Sequence, residues 1–177
     1  MTSQAFAAAA LGWHDFFLAV AGASAALLGL LFVGVSINLS AIAADERVDL
    51  RVRAGQAFAN LLSVLVIALL LLIPDPDPQP TAVGLAVVAG LGLLRVARNF
   101  YSVFRAPKAS RKSLTAVRRL VWTVVADLTL IFTAWKIWSL ADATVIQNLV
   151  TVVFLLLIGA AVVAWSMLVE ISRERTG

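Results

Sequence analysis

The chain has 177 residues, 62% of them hydrophobic and 14% charged, and its mean hydropathy is +0.97. Soluble domains carry about a quarter charged residues, so this composition excludes a soluble globular domain, a disordered tail and a collagen-like fibre. With no cysteine and a single histidine, disulfide scaffolds, thiolate metal sites and cysteine nucleophiles are excluded. A metalloenzyme or a serine–histidine triad has almost no residues to work with, so no enzymatic activity, no metal and no cofactor is expected.

Lys and Arg number 14 against 10 Asp and Glu, a formal charge of +4, and the pI is near 10.3. In a soluble protein that balance would point to nucleic acid. Here the bases stand between apolar runs, where the positive-inside rule already places them, and no nucleic-acid partner is expected.

In chain order, uncharged stretches bounded by charge or proline predict five transmembrane helices. The first covers about 16–42, inside an uncharged run from Phe16 to Ala44 that exceeds the roughly 20 residues needed to span a bilayer. It is also too long for a signal-peptide core, and no base precedes it before Arg47. A mixed-charge loop follows, with Asp45, Glu46, Arg47, Asp49, Arg51 and Arg53, and then a second span at about 54–73. Pro74, Pro76, Pro78 and Pro80 stop that helix, because proline lacks the donor a helix interior requires. The third span is predicted at about 81–104, the fourth at about 120–138 and the fifth at about 143–169. Together they make one all-α domain over 1–177, a polytopic transmembrane helix bundle.

Orientation follows from the bases. The first loop holds three, the connection between the third and fourth spans holds six (Arg105, Lys108, Arg111, Lys112, Arg118 and Arg119), and the tail holds two. Five spans with the N-terminus outside and the C-terminus cytoplasmic put all three segments on the inner side. Trp13, Trp135 and Trp138 then fall at the outer boundary, and Tyr101 and Trp122 at the inner one, as expected of interfacial aromatics.

Two features of the spans bear on function. In the first, Gly22, Gly29 and Ser36 recur every seven residues, with Ala26, Val33 and Ser40 four positions after each. Such a seam lets a neighbouring helix approach closely, either within one subunit or in a homo-oligomeric interface. The second feature is depth. Counted at 1.5 Å per residue from the nearest inner charge, Asn38, Asn60, Arg98 and Asp127 each lie roughly 10–12 Å in, and Arg95 roughly 15 Å. Four helices thus place polar groups in one layer of the inner leaflet. Polar groups at such depth face the bundle interior and pair with one another. The layer reads either as an interhelical network that fixes packing or as the lining of a cytoplasm-facing vestibule or ion path. Snorkelling of the arginines to the lipid headgroups is the third reading. Asp127 is expected to pair with Arg98 or Arg95 across the third and fourth spans. The outer half offers mainly Ser24, Thr129, Thr133 and Thr151, so one chain shows no continuous polar route.

His14-Asp15, the Pro74–Pro80 connector and the six-base inner segment each have an ordinary reading: a polar boundary, a stiff link and a topology signal that also meets anionic membrane lipids. No phosphate-binding glycine loop, nucleophile elbow or paired-histidine motif occurs.

Trp13-His-Asp-Phe-Phe17, followed by Ala23-Ser-Ala-Ala-Leu-Leu-Gly-Leu-Leu-Phe-Val-Gly-Val-Ser-Ile-Asn38, resembles the opening of a widespread group of small uncharacterised bacterial integral membrane proteins. The resemblance covers Trp13 to Asn38 and implies a multi-pass protein of a bacterial plasma (inner) membrane, with no substrate or catalytic residue attached. Residues and resemblance together lead to a homo-oligomeric, ion-channel-like or passive transport assembly. The alternative is a non-conducting accessory or regulatory subunit that partners a second membrane protein.

Overall fold

In the computed structural model, residues 3–38, 48–105, 112–140 and 145–175 are described. Ser40, Asp45, Glu46, Arg47, Lys108 and Arg111, named above, lie outside them. Among the described residues there are six α-helices and no strand: α1 (Ser3–Gly12), α2 (His14–Ile37), α3 (Val48–Leu71), α4 (Pro78–Arg105), α5 (Lys112–Leu140) and α6 (Ile146–Arg175). Five are long and apolar enough to cross a membrane, over His14–Ile37, Leu50–Leu71, Pro78–Arg98, Val121–Ser139 and Ile146–Ser166. These are the lengths and composition of a multi-pass membrane protein.

Helix α1 is the element that hydropathy did not anticipate. Its ten residues are too short to span, and Ala-rich composition gives them helix propensity without a strong apolar period. The chain turns at Trp13, whose backbone N–H bonds the Ala10 carbonyl while its own carbonyl accepts from Phe17 and starts α2. Phe6 and Ala10 join the same buried apolar cluster as Phe17, Leu71, Ile137 and Ile146.

Helix α4 also starts earlier than proline chemistry alone predicted, at Pro78 rather than near Thr81. The first helical residues have no intrahelical acceptor for their N–H groups, so prolines there forfeit nothing. The Asp77 carbonyl takes the first helical hydrogen bond, from the Thr81 N–H at 3.2 Å, and the Thr81 hydroxyl donates to the same oxygen at 2.7 Å. Asp75, in the turn before it, takes a left-handed φ of 46°.

The helices form a ring with one outlier. Helix α3 packs against α4 and α6, and α5 closes the ring by packing against α4 and α6. Helix α2 lies outside, with α3 as its main neighbour. Accordingly 50% of α3's apolar stretch is buried but 17% of α2's. Two apolar clusters lie within this arrangement. The larger takes in Val64, Ile67, Leu85, Leu130, Leu149 and Val152. The smaller joins Leu50, Ala54 and Ala57 of α3 to Val163 of α6, with Leu31 and Val35 of α2 against it.

Phe6→Ala should destabilise the protein by about 3–5 kcal/mol, the range for truncating a buried aromatic, because Phe6 is fully buried. Leu11→Ala on the same helix, where Leu11 is exposed, should leave the thermal midpoint in detergent unchanged.

Candidate functional site

Between the two clusters lies a buried polar layer. Seven polar or charged side chains are buried among the described residues. Three of them satisfy themselves locally. Ser24 donates to the Val20 and Ala21 carbonyls, Thr81 to Asp77, and Thr133 to Thr129. Such back-bonding spends the hydroxyl within its own helix. The other four, Gln56 and Asn60 of α3 and Thr123 and Asp127 of α5, occupy the layer.

The Gln56 amide donates to the Thr123 hydroxyl at 3.4 Å, joining α3 to α5. One turn further along each helix stand Asn60 and Asp127, 1% and 3% exposed. Glycines make room for both. A Cβ on Gly159 of α6 would lie 3.4 Å from the Asn60 Nδ2. A Cβ on Gly92 of α4 would lie 2.6 Å from the Asp127 Cγ and nearer still to its carboxyl oxygens. The Asp127 carboxyl therefore rests on bare α4 backbone, a close approach that glycine alone permits. Two acceptor atoms of the layer, Asn60 Oδ1 and Asp127 Oδ2, are buried with no hydrogen-bond partner.

Arg95, one turn from Gly92 and half-buried, interacts electrostatically with Asp127. The two form no ion pair within 4.0 Å; on the exposed surface His14 Nδ1 pairs with Asp15 Oδ1 at 3.4 Å. Arg98, three residues further along α4, is exposed. Asn38 donates to the Gly34 carbonyl of its own helix at 2.9 Å. Of the five residues assigned to one layer from depth, the structure thus brings Asn60, Asp127 and Arg95 together on the ring's inner side, and leaves Asn38 at the end of the peripheral helix and Arg98 outside.

Gln56 and Gly92 belong to the layer but were not singled out from sequence. Gln56 is three residues from Arg53, so a depth count assigns it to the helix end, yet it lies four before Asn60 and therefore on the same face. Gly92 is one glycine among several in an Ala/Gly-rich stretch, and only its neighbour gives it a role.

The seam residues Gly22, Gly29 and Ser36 are all exposed. Helix α2 buries Phe17, Val20, Ala21 and Ser24 instead, with Leu28, Leu31 and Val35 half-buried along the same line. At 3.6 residues per turn the small residues lie roughly 100–140° round the helix from that line, beside the exposed Leu18 and Val33. A Cβ at Gly22, Gly29 or Gly34 would meet nothing within 4 Å. Within one chain the seam packs against none of the described residues.

No group of three or more potential metal ligands occurs among the described residues. Comparison with known protein families, with curated proteins and with solved structures gives no match for this chain.

Gly92→Ala should lower the thermal midpoint, because the new methyl overlaps the Asp127 carboxyl and the resulting shift costs about 1–3 kcal/mol. Gly90→Ala, two residues away in open space, should be neutral or stabilise by up to about 1 kcal/mol through helix propensity. Equal midpoints for the two variants in thermal melts would mean that the carboxyl does not rest on Gly92. Separately, a double-mutant cycle between Asp127 and Arg98 should be additive within about 0.5 kcal/mol, since Arg98 is exposed and forms no ion pair with the buried Asp127.

Proposed function

We propose that the chain is a five-span protein of a bacterial plasma membrane, N-terminus outside, whose copies assemble into an ion-channel-like, passively conducting homo-oligomer. The single observation that carries this reading is α2. It turns one narrow face to α3 and presents its small-residue face, with Gly22, Gly29 and Ser36, away from the bundle. In lipid, where apolar surface alone gives little drive to associate, small residues favour contact by letting backbones approach. A second copy is the occupant proposed for that face.

The interior of one chain supports a path between copies rather than through the bundle. Beyond the polar layer the ring is filled by Val64, Ile67, Leu85, Leu130 and Val152, and the hydroxyls of Ser24, Thr129 and Thr133 are bound to their own helices. The same sealed interior also favours a second reading, a non-conducting accessory subunit whose α2 face covers a different membrane protein. Exposed Trp135 and Trp138 at one end, and Tyr101 and Trp122 at the other, support the depth of insertion.

Reporter fusions at Gln79 should read as external, and at Ser110 and Thr176 as cytoplasmic; a cytoplasmic result at Gln79 overturns the orientation. Purified protein should run as a homo-oligomer and give ion flux in liposomes. Gly29→Leu should break the oligomer while leaving the monomer folded, because no described residue lies within 4 Å of a Cβ there. Oligomer size and flux that survive Gly29→Leu would remove α2 from the interface. Absence of flux together with co-purification of a different membrane protein would establish the accessory reading.

A further inference from the structure

We propose that Asp127 is a proton-binding site, a buried carboxyl that exchanges its proton with water from the end of the bundle where α3 begins. Four observations point there. Asp127 is the buried acid among the described residues, while Asp15, Asp75 and Asp77 are exposed. Its carboxyl is pressed onto the α4 backbone at Gly92, a position that favours a compact, neutral group over a hydrated anion. A buried carboxylate without pairing or full hydrogen bonding takes up a proton rather than hold its charge. Asp127 Oδ2 and Asn60 Oδ1 are both acceptors without a donor. A proton on Asp127 removes the negative charge that a buried oxygen without a donor would otherwise carry.

Charged groups around the site leave room for this. From α4, Arg95 faces Asp127 electrostatically without an ion pair within 4.0 Å, and Arg98 is exposed. From α3 the facing groups are the neutral Gln56 and Asn60, with Arg53 lying towards the start of that helix. Helix α6 has no charged residue between Ile146 and Ser166. On α5 itself the nearest are Arg119 and Lys136, two turns or more away.

Access is one-sided. Towards the start of α3, polar groups continue from Asp127 through Thr123 and Gln56 to the half-buried Arg53. In the other direction Leu130 and Ala134 of α5 belong to the large apolar cluster, with Leu85 and Ala89 of α4. The proton therefore comes and goes on one side, which under the proposed orientation is the cytoplasm. Proton binding at Asp127 does not require the assembly to conduct.

The test is infrared spectroscopy of the full-length protein in liposomes, grown with carboxyl-carbon-13 aspartate. At mildly acidic pH, above the range in which exposed carboxyls titrate, a carboxylic-acid C=O stretch should appear, shift with the aspartate label and disappear in Asp127→Asn. The band should also vanish reversibly as pH is raised while circular dichroism still reports the folded helices. Asp127→Asn should keep a thermal midpoint close to the parent protein's, since the amide is a neutral isostere of the acid. If that variant does not fold, Asp127→Glu decides, because its acid band loses the aspartate shift. The proposal is overturned by the absence of an aspartate acid band at that mildly acidic pH. It is equally overturned by a band retained in Asp127→Asn, by an aspartate-shifted band in Asp127→Glu, or by a band that no pH tolerated by the fold alters. Lost flux with the infrared result intact would count against conduction alone.

Discussion

The carboxyl of Asp127 lying on the bare backbone at Gly92 sets how closely α4 and α5 meet, and the rest of the ring is arranged around that contact. A polar side chain in an apolar interior has to be enclosed by matching polar groups or be neutralised. Here Thr123 and Gln56 link α5 to α3 one turn away, and Asn60 takes the space that Gly159 leaves on α6. Four helices thereby meet at one level, α3 and α5 through a hydrogen bond and α4 and α6 through glycines that lie against Asp127 and Asn60. Apolar contacts above and below, which are interchangeable in kind, do not impose such a register.

Helix α2 obeys a different constraint. It has no buried polar group that needs a partner from another helix, since Ser24 bonds its own backbone. Nothing therefore draws it into the ring, and it rests on α3 along one line of side chains. Its exposed surface sets Gly22, Gly29 and Ser36 among the large apolar side chains of Leu18, Leu30, Phe32, Val33 and Ile37. The buried polar groups therefore lie within the ring, and most of the surface of α2 lies outside it.

The short α1 and the proline turn show how local chemistry finishes the end of the bundle. Phe6 and Ala10 fill the apolar cluster beside Phe17, and the prolines at 78 and 80 sit in the first turn of α4, where a missing N–H carries no penalty. Neither element needs a long apolar run. That is why a hydropathy count passes over both.

Helical class, five apolar spans and the presence of ionisable groups within them were legible in the sequence, because each depends on composition and on distance along the chain. Asn60 and Asp127 could be set at one depth for the same reason, since rise per residue is constant in a helix. Which way a side chain faces was not legible. Arg95 and Arg98 are three residues apart, yet one lies beside Asp127 and the other is exposed. The seam of Gly22, Gly29 and Ser36 could be seen as a stripe, but not whether it turned inward or outward. The tertiary structure decided those matters, together with the roles of Gln56 and Gly92. Facing depends on the rotation of each helix about its own axis, which is set by contacts between distant residues and leaves no trace in the spacing of any one segment.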